Sequence, residues 1–267
     1  MVQARRIAAL AGVLLFGLLG PLAGDPSRLS ISPLAGLSGK LRAFFTLPDE
    51  PVTGGDASRR IPLVPFSTKV NGRIGSYRLG DWPYEKSQPS NPAYANPKGF
   101  IEVTPENLSI PLSEHFTLGQ FITKDQFSVW PKYVVLQPRL LDKLELTIQE
   151  LLREGHPVRG LFVMSGFRTP EYNEQGVGPG GRSAVSRHEY GDAADVYPDD
   201  RGKGRMDDLN GDGRVDLQDA WILANAADAV ERRHPELDGG IGVYPATSAH
   251  GPFVHIDARG TRARWRA

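Results

Sequence analysis

The sequence predicts an α+β domain over residues 100–267, a small antiparallel sheet with flanking helices, preceded by a β-rich or extended segment. Two observations place its elements. In QPRLLDKLELTIQELLREG, Leu140, Leu141, Leu144, Ile148, Leu151 and Leu152 fall on one helical face. The runs VRGLFVMSG, IGVYP and FVHIDAR have the apolar, β-branched composition of short strands. A third observation excludes the doubly wound class, because helices and strands do not alternate as regular βαβ units.

Each element has a local reason. Pro138 sits near the first turn of the leucine-rich helix and Gly155 just past its last, which is the usual asymmetry of helix ends. A second helix runs from Leu217 to about His234, with Ala224, Ala227 and Val230 marking its packing face. Residues 25–99 alternate apolar and polar side chains between Pro and Gly, as in GKLRAFFTLPDE and NGRIGSYRLGDWP, and NPAYANPKG reads as a linker. No internal repeat occurs.

The chain has 267 residues, enough for one main domain with an appendage, and its 31 basic and 31 acidic residues cancel. A neutral chain gives no electrostatic case for nucleic acid as a partner. No cysteine is present, which excludes disulfides, thiolate zinc sites and a cysteine nucleophile. At the N-terminus, Arg5 and Arg6 precede an apolar run from Ile7 to about Leu19, then Pro21 and small residues. That is the layout of an export signal over residues 1–24. Without a clean A-x-A exit, an uncleaved membrane anchor fits as well, although the run is short for a spanning helix. The expected location is therefore periplasmic or secreted.

The chemistry concentrates late in the chain. SRHEYGDAADVYPD places His188 and Asp195 seven positions apart, with Gly191 between them to turn the chain back. In GPFVHIDARG, strand alternation puts Phe253, His255 and Asp257 on one face and Val254 and Ile256 on the other. His188, Asp195 and His255 together offer the nitrogen and oxygen donors zinc prefers, three ligands with one coordination position left open.

With SGFRTP (Ser165 to Pro170) upstream, then His188 and Asp195, then Tyr244, Pro245 and FVHID, the sequence resembles the zinc D-alanyl-D-alanine carboxypeptidase family. That family belongs to the superfamily of lysostaphin-type peptidases and hedgehog domains. SEHFTLGQF and ARGTRARW look like further family features, and the resemblance covers about residues 108–265. It implies His188, Asp195 and His255 as zinc ligands. It also implies that Arg168 holds the substrate carboxylate or the oxyanion, and that peptidoglycan peptides are the partners.

One departure concerns the general base. Many family members carry a carboxylate or histidine two or three residues before the last ligand, where Phe253 and Pro252 stand here. His250 is the best remaining candidate, since an imidazole titrates near neutrality. Asp257 is the alternative, although orienting His255 suits it better. Glu189 is expected to point elsewhere.

A second metal motif lies at DLNGDGRVDLQD, which fits the twelve-residue calcium loop. Asp208, Asn210 and Asp212 take positions 1, 3 and 5, and Gly213 makes the sharp turn. Arg214 offers its carbonyl, Asp216 acts through water, and Asp219 closes the loop. A structural calcium ion there would stiffen the connection between zinc-ligand segments. The functions these readings allow are a zinc peptidase acting on stem peptides, a metal-retaining wall-binding module without catalysis, and a calcium-stabilised scaffold.

Overall fold

Elements form where the sequence alternation and helical stripes are strongest, and the computed structural model describes residues 58, 60–87, 89–178 and 181–267. The export signal expected at 1–24, and residues 25–57 of the N-terminal segment, lie outside the described residues. Among the described residues, no helix is long and apolar enough to cross a membrane.

In chain order the strands and α-helices are β1 (Leu63–Pro65), β2 (Arg73–Ile74), β3 (Tyr77–Arg78), β4 (Gly99–Val103), β5 (Lys132–Val134), α1 (Pro138–Arg153), β6 (Phe162–Ser165) and α2 (Pro170–Glu174). They continue with β7 (Ala193–Tyr197), α3 (Leu217–Arg233), β8 (Gly240–Tyr244), β9 (Phe253–Asp257) and β10 (Ala263–Arg266). The architecture is mixed α+β. The main sheet has the order β10-β8-β9-β7-β6, and all its pairs are antiparallel except β10 with β8. The parallel edge strand departs from the expected all-antiparallel sheet. Its sequence, ARWR, has two charges in four residues and gave no strand signal.

Helix α1 matches its predicted span. Pro138 opens it, and Gly155 closes it at φ +88° with His156 N–H bonded to the Leu151 carbonyl and Gly155 N–H to that of Leu152. These are the two bonds of the Schellman motif, which satisfy carbonyls the helix leaves open. Leu140, Leu141, Leu144, Ile148 and Leu151 are fully buried, whereas Leu152, on the margin of the stripe, is exposed. Helix α3 packs on α1 and covers β8 and β9. Its Ala220, Ala224 and Ala227 are small enough to allow close approach.

The same helix pair carries a buried charge. Lys143 is fully buried, and its Nζ donates to Glu231 Oε1 and to the Asp257 carbonyl, both at 2.5 Å. Burial pulls the ammonium pKa down, and Glu231 pushes it back up. A lone buried charge is costly, so this pairing is what makes the position tolerable. It also ties α1 to the strand that bears His255.

Residue 99 does not divide the described part of the chain. Strand β4 starts there and pairs with β1, and one continuous core runs from Ile74 and Trp82 through Phe100 to Ile256. Phe66, Trp82 and Phe100 pack ring against ring with centroids 5.3–5.8 Å apart. The Trp82 indole donates to the Glu189 carbonyl at 2.9 Å, fastening this part to the loop that carries His188.

Lys143→Met leaves Glu231 and the Asp257 carbonyl short of a buried donor. The expected outcome is a loss of about 3 kcal/mol in unfolding free energy, measured as a lower urea midpoint at constant m.

Candidate metal centre

Sheet geometry brings two of the predicted ligands face to face. β7 and β9 pair with Asp195 opposite His255, so both side chains leave the same face of the sheet. Val196, Val254 and Ile256 point the other way into the core. His188 comes from a 3-10 turn, Arg187–Tyr190, that ends at Gly191 in the left-handed conformation, φ 69°. A Cβ at Gly191 would lie 2.3 Å from the Val135 carbonyl oxygen, so only glycine lets the turn close here. Across the sheet, a bulge between Val163 and Ser165 re-aims the end of β6 toward Asp195.

The three side chains converge. His255 Nδ1 lies 3.0 Å from Asp195 Oδ1, His188 Nε2 lies 3.2 Å from His255 Nδ1, and His188 Nε2 lies 3.3 Å from Asp195 Oδ1. Ligands about 2.0–2.1 Å from a tetrahedral divalent ion stand about 3.3 Å from one another. The triangle has that size.

Hydrogen bonding explains why a cation fits. His188 Nδ1 sits 2.7 Å from the Gly166 carbonyl, which can only accept, so the proton is on Nδ1 and Nε2 presents a lone pair. His255 Nε2 sits 3.1 Å from Asp257 Oδ2, which places its proton there and turns the Nδ1 lone pair toward the cluster. Three electron-pair donors therefore face one another at contact distance, an arrangement that only a shared positive charge relieves. Among the described residues, this is the group of His, Asp and Glu ligands able to hold a metal ion.

The electrostatics of the metal-free cluster shift the two imidazoles in opposite directions, so that a proton on His255 takes the place a metal ion would fill. Burial lowers the His188 pKa to about 4, which keeps its imidazole neutral and ready to donate. Burial alone would raise Asp195, but a proton on the imidazole nitrogens of His188 and His255 that face it, together with the Arg168 guanidinium, holds it well below the usual carboxylate range when no metal ion lies between them. Burial likewise opposes charge on His255, yet its bonds to Asp195 and Asp257 outweigh that and raise it.

The other predicted residues take distinct places. Arg168 Nη2 donates to Asp195 Oδ2 at 2.5 Å and its Nε to Ser165 Oγ at 2.9 Å. It thus orients the ligand carboxylate, a use the sequence reading did not assign. Asp257 does not reach the cluster. It lies on the far side of the His255 ring, fully buried, held by Arg259 and by Gly240 N–H at 2.8 Å. The carboxyl expected as the alternative general base thus lies outside the cleft, with its Oδ2 3.1 Å from His255 Nε2. Glu189 is buried outside the cleft, and burial raises its carboxyl to about 8.

His250 lines the same cleft as the three ligands, edge-on to Phe253 with centroids 5.0 Å apart. Its Nδ1 lies 2.8 Å from the Gly251 carbonyl, which leaves the lone pair on Nε2. The cleft measures about 720 Å³ and opens over His188, Asp195 and His255. Sequence reasoning missed several of its walls. Trp265 packs 5.2 Å from the His255 ring and donates to Tyr244 Oη at 3.0 Å. Gly242 exists to make room for it, since a Cβ there would be 2.2 Å from the indole. Tyr94, from the stretch read as a linker, stacks on the Arg187 guanidinium at 4.8 Å. Lys124 and Arg182 complete the rim.

The expected calcium loop does not gather comparable ligands. Asp208 accepts from Gly211 and Gly213 N–H at 2.7 and 2.8 Å, Asn210 from Asp212, and Asp212 from Arg214. Asp216 caps α3, accepting from Gln218 N–H, while buried Asp219 accepts from Leu209 and Asp216. These bonds shape the loop through its own backbone.

Titration of the protein with zinc, followed by isothermal calorimetry, is expected to show one tight equivalent per chain. His188→Ala and His255→Ala should each abolish it, because two ligands cannot replace the set. A comparison of the sequence with models of protein families finds no match, and neither does one with curated proteins.

Proposed function

We propose that the protein is an exported zinc peptidase that hydrolyses peptidoglycan stem peptides, as a D-alanyl-D-alanine carboxypeptidase or a cross-link endopeptidase. The observation that carries the reading is the triangle of His188 Nε2, Asp195 Oδ1 and His255 Nδ1, 3.0–3.3 Å on a side, at the floor of an open cleft. Two neutral imidazoles and one carboxylate are the donor set of a hydrolytic zinc site. Zinc bound there supplies Lewis acidity and brings the pKa of water near 7.

The chain's own residues divide the remaining work. Asp257 and the Gly166 carbonyl hold the two imidazoles in the tautomers that donate. Arg168 keeps Asp195 ionised and oriented, with two of its five N–H donors committed. Its other donors suit a developing oxyanion. His250, with a bare Nε2 at the cleft wall, is the group suited to take and return the proton. The resemblance in motif order, and the basic and apolar N-terminus, support the peptide substrate and an extracytoplasmic location.

A second reading, a wall-binding module that holds metal without catalysis, is favoured by one feature. Pro252 and Phe253, where family members place the base, are apolar and buried. A calcium ion at 208–219 belongs to the same proposal, supported by the sequence template alone.

The peptidase reading is tested by incubating the protein with muropeptides and following product masses. D-alanine release or cross-link cleavage is expected, lost with a chelator, restored by zinc, and reduced about a thousandfold or more by His255→Ala. Muropeptides that bind the zinc-loaded protein and stay intact would leave the wall-binding reading. For calcium, saturating ion should raise the Tm by about 5 °C, and Asp208→Ala should erase the shift. An unchanged Tm removes calcium.

A further inference from the structure

Positive charge dominates the cleft. Lys124, Arg168, Arg182, Arg187 and Arg259 line it, against the single carboxylate of Asp195. A neutral chain has gathered cations where its substrate must sit. Most of them are already committed. Arg168 bonds Asp195, Arg187 pairs with buried Asp192 at 2.5 Å, and Arg259 clasps Asp257. Arg182 folds back on its own loop, its guanidinium 4.3 Å from the Tyr172 ring centroid and bonded to the Tyr172 carbonyl.

Lys124 differs from these. Among the described residues no carboxylate and no hydrogen-bond acceptor meets its ammonium, which lies 5.6 Å from the Phe162 ring centroid. Desolvation against the cleft wall lowers its pKa, and the nearby charge of Asp195 raises it. It sits on the segment after the Leu118–Phe121 turn, which is pinned by Phe167 N–H on the Phe121 carbonyl and by Thr123 Oγ1 donating to the Phe167 carbonyl. The lysine is therefore anchored to the same strand end as Arg168. Its backbone is fixed, and its charge lines the cleft with an aromatic ring beside it but, among the described residues, no anion or hydrogen-bond acceptor.

We propose that Lys124 is the residue that captures the free carboxylate of the peptide substrate, a role that resemblance alone would give to Arg168. The inference rests on the peptide-substrate reading above. With the charge of Arg168 already paired to Asp195, Lys124 is the cleft cation whose charge no carboxylate offsets, and so the one that gains a full charge-assisted bond to a substrate carboxylate. An ammonium on a four-carbon stem also reaches ligands of different length, which a guanidinium locked between two partners does not.

The test uses zinc-loaded protein and acetyl-lysyl-D-alanyl-D-alanine with a ketomethylene group in place of the last amide, so that it cannot be cleaved. Calorimetry compares this acid with its C-terminal amide in the wild type, Lys124→Met and Lys124→Arg. The wild type is expected to prefer the acid at least about tenfold. Lys124→Met should reduce that preference to within about twofold while zinc stoichiometry stays unchanged, and Lys124→Arg should retain most of it. With the cleavable peptide, Lys124→Met should raise KM more than it lowers kcat. Equal affinity of the wild type for acid and amide, no binding of either, or a preference that survives Lys124→Met overturns the proposal. A Lys124-dependent preference without hydrolysis of the cleavable peptide keeps it and overturns the peptidase reading instead.

Discussion

Three lone pairs aimed at one point are the constraint from which the rest of this structure follows. Asp195 and His255 are held opposite each other by the β7–β9 register, and His188 is swung over them by the turn at Gly191. Such a cluster repels itself unless a cation sits within it, so the fold has to supply rigidity from outside. It does so in shells. Gly166 and Asp257 fix the imidazole protons, and Arg168 and Arg259 fix the carboxylates. Lys143, buried between α1 and α3, bonds the Asp257 carbonyl and carries the restraint into the helical layer. Loss of any shell loosens the one inside it.

This nesting explains why so much charge is buried on one side of the molecule. Asp192, Asp195, Asp257, Glu231, Lys143 and Arg187 are each nearly or fully buried, and each has an opposite partner. Buried pairs of this kind contribute little net stability against apolar replacements, because desolvation offsets most of the attraction. Their value here is positional. A methyl-lined cavity would be as stable and would leave the ring orientations undefined.

Local signals are legible in the sequence, and long-range ones are not. The leucine stripe, Pro138 and Gly155 specify α1 because a helix is set by neighbours three and four residues apart. The alternation of FVHID places His255 and Asp257 on one face for a similarly local reason, period two. That both aspartates nearby, 195 and 257, touch the same imidazole could not be read this way. It depends on which residue of β7 meets which residue of β9, and a one-residue slip would turn Asp195 into the core. Residues 60–99 were harder still. Their strands are two or three residues long, and their order comes from rings such as Phe66, Trp82 and Phe100 packing together.

The wall of the cleft shows the same limit from the functional side. Tyr94 comes from a Pro-Asn-rich stretch that has the composition of a linker, yet its ring stacks on Arg187 and meets Tyr190 edge-on at 5.5 Å. Arg187 in turn precedes His188, so the segment before residue 100 braces the His188–Asp195–His255 cluster through one guanidinium. The Arg187 guanidinium lies against both rings, 4.8 Å from the Tyr94 centroid and 4.6 Å from that of Tyr190, while its Nε and Nη2 both bond Asp192. A lysine could make neither contact in that geometry. The N-terminal part is therefore best understood as a buttress of the site, positioned by a cation that has no freedom left to touch a ligand.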